Sequence, residues 1–159
     1  MTAVKKNGAE AETLLLRKTD VQMCRGCLRC EEGGREREGK CIIEDDMNGI
    51  YPKLLAADAI VLATPGYMEM LSGLLKNFLD RTCAVWPRLE GKKLAGLAVA
   101  EEGIGQTMQN LKHYGKLLKM QWAGGVSALA KEPGAVAKNK ALKPRLNRLA
   151  RKLVGRTSN

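Results

Sequence analysis

A three-layer α/β fold built on an open parallel sheet is predicted by three observations. Short apolar runs with strand character recur along the chain, longer amphipathic stretches separate them, and 159 residues are enough for one core and too few for two. Strands that alternate with helices of this length need crossover connections, and crossovers place helices on both faces of a parallel sheet. The chain reads as one domain over 1–159.

The first strand is expected over 12–18, around the run Leu14, Leu15 and Leu16. The second, 59–64 (AIVLAT), is continuously apolar, the pattern of a strand covered on both faces. The third is 94–100 (LAGLAVA), and the fourth lies within 124–130. Helices are expected over 47–57, 71–81 and 106–120, the first with Asp45 and Asp46 available as N-caps. A last helix covers about 137–154, where Leu142, Leu146, Leu149 and Leu153 form an apolar stripe. The Gly- and charge-rich stretch 31–40 (EEGGREREGK) reads as an exposed loop.

Charge is concentrated at one end. Residues 131–159 carry nine basic side chains and one acid, whereas the other 130 residues contribute only +2 of the total +10. A basic amphipathic helix is most simply a core-packed helix with a solvated face. Nucleic-acid binding is disfavoured further by the six aromatics, none of them after Trp122. No apolar run approaches the roughly 18 residues of a membrane span, and the first 12 residues lack the apolar core of a secretory signal. The expected location is the cytoplasm, with no membrane partner.

Four of the five cysteines, Cys24, Cys27, Cys30 and Cys41, have the spacing C-x2-C-x2-C-x10-C between the first strand and the first capped helix. In a reducing compartment such thiols indicate metal or redox chemistry rather than disulfides. Short x2 spacings turn successive thiolates toward one centre, which a fourth thiolate can close, as in 4Fe-4S sites. A four-cysteine zinc site, which normally uses two separate hooks, and unmetallated or regulatory thiols are the alternatives. Arg25 and Arg29 sit between the ligands and would offset thiolate charge. Cys83 reads as a core thiol and His113 as structural or surface.

Open parallel sheets bind ligands beyond the carboxyl ends of their strands. Thr64, Pro65, Gly66 and Tyr67 occupy such a position. Gly66 would admit close backbone approach, and Tyr67 would offer a flat face and a hydroxyl.

Taken in order, Cys24-Arg-Gly-Cys27-Leu-Arg-Cys30, Lys40-Cys41-Ile-Ile-Glu-Asp45-Asp46-Met47, the run from Ala57 to Tyr67 and the run Leu71-Ser72-Gly73 to Asp80-Arg81 resemble the iron-sulfur flavoproteins. These belong to the flavodoxin-like NADPH-dependent FMN reductase superfamily, and the resemblance extends from about residue 8 to 130. It implies a flavodoxin-like fold, FMN as cofactor, a 4Fe-4S cluster on the four cysteines, and NAD(P)H as electron donor. Thr64, Pro65, Gly66, Tyr67 and Met68 would border the flavin, and the loop 101–106 with Gly103 and Gly105 would form another wall. No residue is assigned a catalytic acid or base role, because the flavin carries the chemistry. Redox partners would be small molecules or proteins, and the resemblance implies a homo-oligomer, dimeric or tetrameric.

The family's first strand and its phosphate-wrapping loop, of the type G-S-P-R-x-x-x-N-T, have no counterpart here. The expectation is therefore a flavodoxin-like sheet missing its first, central strand. Residues 12–18 and 59–64 must then pair directly, gain a strand from a partner, or leave edges bare. The lead reading is an FMN-dependent oxidoreductase or electron-transfer iron-sulfur flavoprotein. The alternatives are a flavin-free metal-binding or electron-carrier subunit, and a basic nucleic-acid-associated protein.

Overall fold

A computed structural model describes residues 2–32 and 40–155. Helix α1 (Thr2–Lys6) leads into an irregular segment, followed by α2 (Met47–Ala56), β1 (Ala59–Tyr67), the short β2 (Met70–Leu71) and α3 (Gly73–Arg81). Strand β3 (Lys93–Ala100), α4 (Ile104–Leu117), β4 (Gln121–Leu129), the one-turn α5 (Ala135–Lys138) and α6 (Leu142–Val154) complete the order. Residues 33–39, most of the expected exposed loop, lie outside the described residues.

The sheet runs β2-β1-β3-β4, with β1, β3 and β4 parallel and β2 folded back antiparallel on β1. Alternation along β3 separates two cores. Leu94 packs with Met47, Ile50, Phe78 and Leu111 from α2, α3 and α4. Its neighbour Ala95 packs with Leu142, Leu149 and Leu153 of α6 and with Val4 of α1. The α/β, three-layer prediction holds, and the leucine stripe of the basic helix faces the core. Helix α4 lies so close to the sheet that a Cβ on Gly96 would come within 2.8 Å of the Trp122 ring and 3.0 Å of Leu111.

Two adjacent lysines at the start of β3 serve the two helical layers. Lys92 Nζ donates to the carbonyls of Leu55 and Ala57 at 2.7 Å, at the end of α2. Lys93 Nζ donates to those of Lys152 and Leu153 at 3.1 and 3.0 Å, at the end of α6. Each cation meets the carbonyl end of a helix, where positive charge is favourable.

Three expectations need correction. Residues 12–18 form no strand: the chain is irregular to Leu15 and ends in a 3-10 turn, Leu16–Lys18. An apolar run becomes a strand only where a ladder partner exists, and this segment instead crosses from the α6 side, where Val4 packs, to the α2 side, where Leu16 and Val21 pack. Glu12 is held on the way by Lys53 of α2 at 2.5 Å. Strand β1 is also covered on one face only: Leu62 and Thr64 are buried, Val61 and Ala63 exposed. Helix α6 sits over β3 and β4, with α1 packed against α6. Direct pairing of residues 12–18 with 59–64 is not what forms: within the chain, among the described residues, β1 pairs on that side only at Gly66 and Tyr67. Finally, Asp46 takes the N-cap position of α2 as expected, but its carboxylate accepts from the Asp20 amide at 2.7 Å rather than from the helix.

Candidate functional site

Two loop systems meet at the two ends of α3. At its C-terminal end lies the cysteine loop. Asn77 and Arg81, four residues apart and so on one face of the helix, hold the loop's base. Asn77 Nδ2 donates to the Val21 carbonyl at 2.7 Å, and its Oδ1 accepts from the Cys24 amide at 3.3 Å. Arg81 donates to the Gln22 carbonyl at 2.8 Å and to both carboxylate oxygens of Asp45 at 2.5 and 3.0 Å. Residues 22 and 45 bracket all four clustered cysteines, so this one guanidinium closes the base of the loop.

The ion pair is fully buried, the side chains of Arg81 and Asp45 being 1% and 0% exposed. Burial alone would raise the Asp45 carboxyl. The hydrogen bonds from Arg81 and from the Gln22 and Met47 amides, with the charge of Arg81, outweigh it and hold Asp45 below the ordinary carboxylate value. Its bond to the Met47 amide, at 3.0 Å, does locally what a cap would have done. Arg81 Nε is the buried side-chain atom left without a partner among the described residues. The arginine's charge also acts on Cys41 and on Tyr51, whose hydroxyl donates to the Arg81 carbonyl at 2.9 Å.

Cys24 and Cys27 are exposed, while Cys30 and Cys41 are half-buried against the α2–α3 core. No three of them, among the described residues, converge on one metal position. Cys83 corrects the sequence reading. It is half-buried in the turn after α3, its Sγ 3.5 Å from Glu31 Oε1 and its thiol beside Cys30. Burial first, then Cys30 and Glu31, push that thiol up to about 12. Nothing in the sequence around residue 83 signals that the chain turns there toward the cysteine loop.

At the N-terminal end of α3 lies the strand-end wall. Ser72 caps the helix by accepting from the Leu75 amide, and Thr64 Oγ1 accepts from the Ser72 amide at 3.1 Å. The Thr64 side chain is therefore committed inward, and only its backbone and the residues after it face the loop. Gly66 lies against β3 and α4, where a Cβ would come within 3.0 Å of both Ala100 Cβ and Thr107 Oγ1. Tyr67 and Met68 are exposed, at 64% and 95%, and Pro65 is exposed beside them.

Tyr67 pairs with Met70 across a two-residue turn in which Met68 and Glu69 both have positive φ, 50° and 61°. This is the hairpin turn normally made by Asn-Gly. Two L-residues with full side chains held there store strain. Sequence reasoning missed the hairpin because its usual signal is absent. The Glu69 carbonyl accepts from Thr107 Oγ1 at 3.1 Å, and the Glu69 carboxylate lies over Gly103, which opens α4 at φ +61° with no side chain capping its first turn. The hairpin at 67–70 thus touches the start of α4 through Glu69. Gly105 is exposed in the first turn of α4, with open space around it. Among the described residues, a groove of about 400 Å³ along α4, from Gln106 to Lys116, is lined by that helix.

A family model described as NADPH-dependent FMN reductase matches residues 1–134. The chain belongs to this family. An iron-sulfur flavoprotein of Archaeoglobus fulgidus is 38% identical over 79 residues, covering 50% of this chain and 36% of the relative. One of Methanocaldococcus jannaschii is 34% identical over 100 residues, 63% of this chain and 49% of the relative. The chain spans about half the length, or less, of the curated relatives it matches. Among solved structures, RosB with a bound 8-demethyl-8-formylriboflavin-5'-phosphate intermediate gives a TM-score of 0.74 at 17% identity, over 97% of this chain and 70% of that one. Megasphaera elsdenii flavodoxin gives 0.60 at 18%, over 97% and 84%. At such identity these two establish the flavodoxin-like fold. No helix among the described residues is long and apolar enough to cross a membrane.

Proposed function

We propose that this chain is an FMN-dependent oxidoreductase or electron-transfer flavoprotein that also carries a 4Fe-4S cluster. The observation that carries the reading is the helix α3, which fastens a four-cysteine loop at one end and the strand-end wall at the other. The donor set fits a cluster: four free cysteines on one loop whose base is closed by the buried Arg81 guanidinium. The wall fits a planar ring: Tyr67 and Met68 are exposed at the carboxyl end of β1, in a hairpin that meets the start of α4 through Glu69.

Cys24, Cys27, Cys30 and Cys41 would hold the cluster. Pro65, Gly66, Tyr67, Met68, Gly103 and Gly105, with the backbone at Thr64, would border the flavin. Bound FMN supplies hydride and single-electron chemistry, so the chain needs no acid or base of its own. Arg81 and Asn77 orient the cysteine loop, and the Thr64–Ser72 bonds fix the wall's angle to α3. NAD(P)H as donor, a further protein or small-molecule acceptor, and a homo-oligomeric assembly follow from family membership and belong to the same proposal.

The test is the visible spectrum of anaerobically purified protein, with iron, sulfide and flavin quantified on the same sample. A structured flavin band above a broad cluster shoulder is expected. A cluster shoulder with no flavin would overturn the flavin half and leave an electron carrier. A colourless, iron-free protein would overturn the whole reading.

A further inference from the structure

The fifth cysteine is not accounted for by a four-ligand site. Cys83 belongs to the 3-10 turn Thr82–Ala84, and Cys30 to the 3-10 turn Arg29–Glu31; the two turns pack on each other. The position of Cys83 is fixed from behind: Thr82 Oγ1 is bonded to the Leu79 carbonyl at 2.6 Å and to the Tyr114 hydroxyl at 2.8 Å. Glu31, next to Cys30, accepts from the Cys83 thiol at 3.5 Å, so the packing of the two turns brings the residues on either side of this contact together.

We infer that Cys30 and Cys83 are a redox pair that closes to a disulfide and so competes with metal for Cys30. The competition rests on the proposed role of Cys30 as a cluster ligand, whereas the pairing stands on the packing of the two turns and the Glu31–Cys83 contact between them. With a low-molecular-weight disulfide as oxidant, the two cysteines lose two thiol protons and two electrons. One S–S bond forms between residues 30 and 83, the oxidant's S–S bond breaks, and the oxidant leaves as two thiols. Two cysteines on short turns that pack on each other can meet disulfide geometry by local adjustment of those turns. Closing the pair takes one thiolate from the loop and leaves three.

The experiment uses full-length protein freed of metal, fully reduced, and then treated with oxidised glutathione. Free thiols are alkylated, and the protein is digested with trypsin without reductant. The chain's arginines release residues 30–35 and 82–88 as separate peptides, so the pair appears as one linked species that reductant splits. That species is expected to dominate. Oxidised wild-type protein should then take up iron and sulfide at least several-fold less than reduced protein, and Cys83→Ser should take up the same amount with or without oxidation. Linkage of Cys30 mainly to Cys24, Cys27 or Cys41 would overturn the pairing, and needs no variant to be read. A linked protein that loads iron normally would overturn the competition. Loss of iron from Cys83→Ser that was never oxidised would make Cys83 a ligand and overturn the inference. If the link forms but no form of the protein ever binds iron, the pairing survives and the cluster reading fails.

Discussion

The two regions at the ends of α3 are held by opposite means. The cysteine loop is closed by side chains: one guanidinium, one carboxylate and one carboxamide reach across 23 to 59 residues of sequence. The strand-end wall is held without buried charge, by the neutral hydroxyls of Thr64, Ser72 and Thr107 and by backbone shape: positive φ at Met68, Glu69 and Gly103, and a glycine at position 66 where nothing larger fits freely. A region closed by buried charge should fail when charge is removed or neutralised. A region closed by backbone shape should ignore pH and fail when a single methyl is added.

Arg81→Ala should have the largest effect. It strands Asp45 in a buried site, and losing one partner of a buried pair costs about 3–5 kcal/mol. Urea unfolding should report that loss, and alkylation of Cys24 and Cys27 should accelerate with it. Wild-type alkylation rates in the variant would mean the loop does not depend on the clamp.

Acid should weaken the same contact by a smaller amount. Because the folded Asp45 carboxyl is held below its ordinary value, its stabilisation is complete above about pH 4 and is lost as pH falls through the lowered folded value. Urea midpoints measured down to about pH 2 should fall in that window, and the fall should be shallower in Asp45→Asn. Equal slopes for the two proteins would assign acid sensitivity to other carboxylates.

Gly66→Ala tests the other region. The new methyl would stand 3.0 Å from Ala100 and Thr107, and overpacking of this kind costs about 1–3 kcal/mol. That cost should be the same at neutral and acid pH. Relief of strain should give the smallest effect and the opposite sign: Met68→Asn combined with Glu69→Gly supplies the residues the turn prefers, and thermal unfolding should show a gain of about 1–2 kcal/mol. A loss would place a stabilising contact in one of the replaced side chains, of which Glu69 over Gly103 is the nearest candidate.

What the sequence disclosed follows the same division. Residues 59–64 and 94–100 were legible as strands because an apolar run of that length, flanked by turn residues, has few other uses. The leucines of α6 were legible because their spacing is that of a helix. Residues 12–18 looked the same and are no strand, since Leu14–Leu16 carry no record of whether a neighbouring ladder is present. The cysteine spacing announced the loop, but nothing local ties Asp45 to a guanidinium 36 residues on, and Asp45 therefore read as a cap. The hairpin at Met68 was hidden for the converse reason: its conformation runs against the preferences of its own residues.

Helix α3 also acts as a ruler. From Ser72, which fixes one end, to Arg81, which fixes the other, the register is set by helical geometry alone. One residue inserted between them would turn Asn77 and Arg81 by roughly 100° and carry them about 1.5 Å along the axis, away from Val21, Gln22 and Asp45. Lineages descending from this chain are thus free to alter which residues line α3's outer surface, but not how many there are. Deletions and insertions in the stretch 73–80 should be absent from any descendant that retains both ends.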